Sequence, residues 1–232
     1  MPVFRLPIGR LNDKLIFPPV ALSESNGLLA IGGDLTPNRL ITAYGQGIFP
    51  WFGEGQPILW WSPDPRLVLF PAKLHISRSM RQVLKRKIFS VTYDCCFRNV
   101  IMACRISRRA EGETWITEAM VDAYCRLHDQ GIAHSVEAWH NGELAGGLYG
   151  VALGTCFFGE SMFTRVSNAS KAAFITLTRA LQEHNFLLID CQVDSPHLQS
   201  LGAELLPRKI FLDLLTTALQ KPAQPGRWVD WA

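Results

Sequence analysis

Two prolines, Pro63 and Pro65, bracket Asp64 and divide the chain into stretches of different character. Proline fixes φ and has no amide donor, so neither a helix nor an inner strand runs through this point. Before it lie three runs rich in glycine, proline and aromatics: Asn26-Gly-Leu-Leu-Ala-Ile-Gly-Gly-Asp34, Gly47-Ile-Phe-Pro-Trp-Phe52 and Trp60-Trp-Ser-Pro-Asp-Pro-Arg66. Between the first two, Thr36-Pro-Asn-Arg-Leu-Ile-Thr-Ala-Tyr44 predicts a short helix, with Thr36 as cap and Pro37 at the first helical position. Residues 1–64 are expected to form a small N-terminal domain, and 65–232 the remainder of the protein.

After the prolines the pattern alternates. The spacing predicts a strand near 89–93, a helix near 95–105 and a helix over Thr117–Gln130 ending at Gly131. A strand at His134–His140 follows, then the hairpin signal Asn141-Gly142 and strands at Leu144–Leu153 and Cys156–Met162. A helix over Asn168–His184, a buried strand at Leu187–Val193 and a last helix near 209–220 complete the order. This is a mixed α/β (α+β) layered architecture.

Charge is segregated. The net charge is only +3, but Lys73 to Arg109 holds ten Lys/Arg against one acid, Asp94. That leaves the rest of the chain acidic and suggests a basic patch facing a polyanion. Its centre, Ser77-Arg-Ser-Met-Arg-Gln-Val-Leu-Lys-Arg-Lys87, predicts a helix capped by Ser77. Met80, Val83 and Leu84 fall on one face; Arg78, Arg81 and Lys85 fall on the other, with Arg86 beside them. A solvated helix face is the commoner use of such a run; a phosphate-binding surface is the other.

Hydrophobic residues make up 48% of the chain and charged residues 19%, which excludes disorder. No apolar run reaches the ~18 residues of a membrane span, and the N-terminal residues are unlike a signal peptide, so a cytoplasmic protein is expected. Six cysteines with no C-x-x-C predict reduced, packed thiols and no metal site.

Three features can carry chemistry. In Leu187-Leu-Ile-Asp-Cys-Gln-Val193, strand alternation places Asp190 and Gln192 on one face and Ile189, Cys191 and Val193 on the other. Two polar residues on an apolar strand serve either a site or a structural hydrogen bond. In Phe157-Phe-Gly-Glu-Ser-Met-Phe163, Glu160 is either a buried acceptor for a cation or a rim residue beside a bulge. Trp51, Trp60, Trp61 and Trp115 lie in Gly/Pro-rich or polar settings and suit base stacking, although core packing is the commoner role. The six histidines show no metal spacing or triad context and are read as structural or surface residues. No G-x-S-x-G, Walker A, H-E-x-x-H or G-x-G-x-x-G occurs, so an enzyme of this sequence would draw on a preactivated substrate.

The runs N-G-L-L-A-I-G-G-D-L (26–35), G-I-F-P-W-F (47–52), L-W-W-S-P-D-P-R (59–66), L-H-I-S-R-S-M (74–80), T-W-I-T (114–117), G-G-L-Y-G (146–150), G-E-S-M-F (159–163), N-A-S-K (168–171) and I-D-C-Q (189–192) together resemble the bacterial leucyl/phenylalanyl-tRNA–protein transferases over about residues 26–209. The resemblance implies a C-terminal domain similar to the GCN5-related N-acetyltransferases. It implies transfer of Leu or Phe, and less well Met, from aminoacyl-tRNA to proteins beginning with Arg or Lys. That peptide bond would create an N-end rule degradation signal. No cofactor is implied, and a monomer is expected.

By the same resemblance, Gln192 contacts the acceptor amine, Asp190 supports it by polarisation, and Glu160 contacts the reaction centre or the acceptor. Leu148, Phe157, Met162, Phe174, Leu177 and Ile189 match the family's side-chain pocket. Trp51 and Trp115 match the stacking partners of the terminal adenosine, and Arg78, Arg81, Lys85 and Arg86 the tRNA-facing cluster. Two departures are Gln82, where relatives can carry a basic residue, and Leu148, where methionine can occur. Two rivals are an acetyl-CoA-dependent N-acetyltransferase and a non-catalytic RNA-binding module. Against the first, Thr164-Arg-Val-Ser-Asn-Ala-Ser170 has no glycine to cradle a pyrophosphate. Against the second, a pure RNA binder has no need of Asp190, Gln192 and an apolar pocket together.

Overall fold

Trp60 sits at the centre of the first sheet with no exposed surface, its Nε1 donating to Gly32 O at 2.8 Å and its ring edge-on to Phe17. The computed structural model describes residues 8–110, 114–221 and 226–231. Around Trp60, strands β1 (Gly9–Leu11), β2 (Leu28–Gly32), β3 (Phe49–Pro50) and β4 (Leu59–Trp61) pair in the order β1-β2-β4-β3. These strands are too short for their period to show in the sequence. Helix α1 (Pro37–Gly45) lies between β2 and β3 and starts with Pro37 as expected. Its cap differs from the expectation. The Thr36 hydroxyl donates to Asp34 Oδ1 at 2.6 Å and makes no cap bond, because Asp34 organises the turn and also receives Arg39.

The second sheet has seven strands. These are β5 (Arg66–Leu69), β6 (Ser90–Tyr93), β7 (Ala133–His140), β8 (Glu143–Leu153), β9 (Cys156–Thr164), β10 (Leu188–Gln192) and β11 (Glu204–Leu206). Their order is β11-β5-β10-β9-β8-β7-β6. Only β9 and β10 run parallel; the remaining pairs are antiparallel. Asn141 and Gly142 take positive φ at the β7–β8 hairpin, as that dipeptide predicts. Helices α2 (Arg78–Lys85), α3 (Phe97–Ala110), α4 (Glu118–Asp129), α5 (Ala169–Glu183), α6 (Pro196–Gln199) and α7 (Arg208–Leu219) complete the chain.

Helix α3 starts two residues later than expected, because Asp94 has φ +55° and holds Ser135 N–H at 2.9 Å. Its carboxylate ties the turn to β7 before the helix can begin. Helices α3 and α4 cover one face of the second sheet and share a core with Tyr44, Trp60, Tyr149 and Phe158. Helix α5 covers the other face, over Leu148, Phe157 and Ile189. Asp64 caps α7 by accepting from Arg208 N at 2.9 Å. The segment between the prolines is thus tied to the far end of the chain.

The basic segment is less uniform than its sequence implies. Lys73 pairs with Glu204, and Arg98 and Arg105 pair with carboxylates of α4. The exposed cations of α2 have no carboxylate partner among the described residues. Ser77 caps α2 by accepting from Met80 N, and Met80 is buried beneath it, as the periodicity predicts.

Candidate active site

Strands β9 and β10 pair over only three residues each, Leu188–Asp190 against Cys156–Phe158, and then separate. Each loses regularity at the same level. On β9, Gly159 faces Gly150 and Ser161 faces Tyr149, so Glu160 is the extra residue of a bulge. A Cβ at Gly150 would stand 2.2 Å from Phe158 O, so only glycine closes this register. On β10 the pairing with β5 shifts between Asp190 and Gln192, and Gln192 takes φ +66°.

A cavity of about 700 Å³ opens where the strands part. Leu148, Phe157, Met162, Phe174, Ile189 and Cys191 line it. The first five match the expected pocket. Leu177 does not: it is fully buried in the core beneath α5 and lines no part of the cavity. Trp51, 42% exposed, and half-buried Trp115 both line the cavity. Trp51 rests on Trp61 at 5.8 Å, and Trp61 Nε1 donates to its carbonyl.

Gln192 and Asp190 are separated by their surroundings. Gln192 lines the cavity; Asp190 has no exposed surface and does not. Asp190 is gripped by Arg66 at two points and accepts from the Gln192 backbone N–H at 2.9 Å. Alternation alone would have shown both side chains to one space. The left-handed residue at 192 and the ion pair at 190 correct that expectation. Asp190 reaches Gln192 through its backbone and offers nothing to the cavity.

Glu160 is a buried acceptor that also lines the cavity. Tyr44 Oη donates to Oε1 at 2.7 Å, Tyr124 Oη to Oε2 at 3.0 Å, and Gln192 Nε2 to Oε1 at 2.8 Å. The two tyrosine hydroxyls also bond each other. Burial pushes the carboxyl up to about 7 and nearby Asp190 adds to the rise, against the pull of the three donors. Tyr44 and Tyr124 stand 116 and 36 positions from Glu160 in the chain, so no sequence spacing connects them. Gln192 Oε1 accepts from none of the described residues, which leaves it as a free acceptor at the cavity wall.

Lys171, Arg108 and His197 also line the cavity. His197 departs from the structural or surface reading of the histidines. Burial and Lys171 lower its affinity for a proton. From the motif N-A-S-K (168–171), Asn168, Ser170 and Lys171 line the cavity, and Asn168, with a left-handed φ of +72°, precedes the first turn of α5.

The model of the leucyl/phenylalanyl-tRNA protein transferase family matches residues 68–216, and that of its N-terminal domain matches residues 33–64. The chain belongs to this family. Curated leucyl/phenylalanyl-tRNA–protein transferases agree over nearly their whole length. That of Desulfatibacillum aliphaticivorans is 55% identical over 96% of this chain and 96% of its own. Those of Syntrophobacter fumaroxidans, at 57% over 96% of each chain, and Myxococcus xanthus, at 52% over 98% of each, are similar. This places the chain among transferases of mixed α/β fold. Solved structures align more distantly. L-PGS from Bacillus licheniformis gives a TM-score of 0.43 at 10% identity, covering 72% of this chain and 54% of that one. A GCN5-related N-acetyltransferase from Kribbella flavida gives 0.35 at 12%, covering 74% and 61%. Among the described residues no helix is long and apolar enough to cross a membrane.

Proposed function

We propose that this family member transfers leucine or phenylalanine, and less well methionine, from aminoacyl-tRNA to the N-terminal amine of proteins beginning with Arg or Lys. The product would carry an N-end rule degradation signal. The observation that carries the reading is the apolar recess beside Gln192 and Glu160. The relatives' name, leucyl/phenylalanyl-tRNA–protein transferase, supports the leucyl- or phenylalanyl-tRNA donor and the protein acceptor in this reading.

The aminoacyl ester is already activated, so no protein nucleophile is required. In this reading the apolar wall holds the Leu or Phe side chain, and Trp51 and Trp115 hold the terminal adenosine. The cations Arg78, Arg81, Lys85 and Arg86 hold tRNA phosphates. A protein α-amine has a pKa near ~7.7–8, so a modest acceptor is enough to expose its lone pair. Gln192 Oε1 is suited to receive an N–H of that amine, while Nε2 is held by Glu160. Asp190 acts by fixing the Gln192 backbone, and positioning supplies much of the remaining rate. Residues 1–64 and 65–232 serve as the domain division in this proposal, supported by the change of sheet between Trp61 and Arg66. A cytoplasmic monomer acting without metal or cofactor fits the same reading.

The test is transfer of radiolabelled leucine from Leu-tRNA to a peptide beginning with Arg, with Ile-tRNA as control. Transfer from Leu-tRNA with little from Ile-tRNA is expected. Efficient acetylation of the same peptide from acetyl-CoA, without leucine transfer, would replace this proposal with the acetyltransferase reading.

A further inference from the structure

We propose that Tyr44, Tyr124 and Glu160 share protons as one ring, and that Glu160 is the group in this ring that exchanges a proton with the acceptor amine. The inference rests on the transfer reading above and assigns its proton traffic.

Three contacts join the three groups: Tyr44 to Tyr124, Tyr44 to Glu160 and Tyr124 to Glu160. Each contact needs one proton, and the two hydroxyls supply two. With Glu160 ionised, both tyrosines point to the carboxylate and the contact between them has no proton. With Glu160 protonated, the ring closes: the carboxyl donates to one tyrosine, that tyrosine to the other, and the second back to the remaining carboxyl oxygen. Either form uses the same heavy-atom positions, so Glu160 can gain and lose a proton without moving.

The surroundings favour that exchange near neutrality. Burial raises the carboxyl to about 7. The groups facing it are Tyr44 from α1, Tyr124 from α4, Tyr149 from β8, and Gln192 and Asp190 from β10, the last already paired with Arg66. Arg108 and Lys171 line the same cavity. Asp190 is the poorer proton acceptor because its carboxylate is paired at two points with the buried Arg66 cation and it does not line the cavity.

The step balances. The incoming amine gives a proton to the Glu160 carboxylate and its lone pair forms a C–N bond at the ester carbon. The C–O bond to the ribose then breaks, and the leaving oxygen takes the proton back from Glu160. Tyr44 and Tyr124 are positioning residues; Glu160 is the catalytic residue.

The experiment pairs an infrared pH titration of the carboxylic-acid C=O band with the pH profile of leucine transfer. Both are run on the native chain, Glu160→Gln, Tyr44→Phe and Tyr124→Phe. We expect an acid band titrating near pH 7 that Glu160→Gln abolishes. Glu160→Gln should lower kcat by about 100-fold with tRNA binding retained. Each tyrosine variant should move the band midpoint and the acid limb of the rate profile upward together, by about one unit. The reason is that a lost donor to a buried carboxylate removes a charge-assisted bond from the ionised form. Absence of the band, unmoved midpoints in both tyrosine variants, or full kcat in Glu160→Gln would overturn the inference. If the band and its shifts appear while the native chain transfers no leucine, the transfer reading falls and the ring remains.

Discussion

Arg66 grips Asp190 in a two-point ion pair, Nε to Oδ1 at 2.8 Å and Nη2 to Oδ2 at 2.6 Å, with both side chains sealed from solvent. The guanidinium also lies over the rings of Phe49 and Phe211 and donates to Gly47 O. The pair therefore bonds β5 to β10 and the second sheet to the β3 region. Its role is to hold the strand that carries Gln192.

Removing one partner leaves a buried charge alone. Asp190→Ala should cost about 3–5 kcal/mol of stability, with transfer lost alongside folding. Gln192→Ala should lose turnover with a much smaller fall in stability. Thermal melts beside single-turnover transfer separate the two. Equal melting temperatures for both variants would contradict the division of roles.

The backbone at Gln192 is left-handed, a conformation that disfavours residues with a Cβ. Gln192→Gly should be at least as stable as Gln192→Ala, by up to about 1 kcal/mol, and equally inactive. Denaturant unfolding of the two variants measures the difference.

Leu148 lines the cavity and Leu177 does not. Leu148→Ala should weaken the preference for Leu-tRNA over Ile-tRNA, within the ~1–3 kcal/mol that pocket shape can supply. Leu177→Ala should cost about 2–5 kcal/mol of stability and leave the preference intact. Competition between the two charged tRNAs reads the first effect, and melting reads the second.

Neutralising Arg78, Lys85 and Arg86 together should weaken tRNA binding and flatten the salt dependence of log K by about 2–3. Neutralising Arg98 and Arg105 should change the slope less, because carboxylates of α4 already pair with them. Binding titrations across a salt series would show an equal effect of both sets if the α2 face were not the contact.

Acid should loosen the C-terminal segment. Trp228 N donates to Asp94 Oδ2 at 2.7 Å, and the Trp228 ring stacks on His134 at 3.7 Å. Burial works to raise Asp94, but bonds from His134, Trp228 and Ser135 hold it below its usual value. Burial lowers His134 against its bond to Asp94. A depressed carboxyl contributes stability above about pH 3.9 that is lost as pH falls. A depressed histidine binds fewer protons folded than unfolded, so stability also falls below about pH 6.5. Both act in one direction. Glu160 acts the other way in this range, because its raised carboxyl binds more protons folded than unfolded. The check is therefore a difference: the melting-temperature margin of the native chain over His134→Asn should narrow as pH falls from about 7.5 to 5.5.

The amino-acid order alone determined the eight longest helices and strands after the two prolines, the basic face of α2 and a set of motifs specific enough to name a family. These are local or linear signals: a period, a cap, a turn dipeptide, a run of matching residues. Tertiary structure decided the rest. Alternation could not foresee that an extra residue at Glu160 and a left-handed Gln192 would change which side chains meet the cavity. Nor could it foresee Arg66 closing on Asp190, or Tyr44 and Tyr124 arriving at one carboxylate from two helices. Those contacts join positions far apart in the chain, and only packing around shared buried charge and apolar surface brings them within bonding distance.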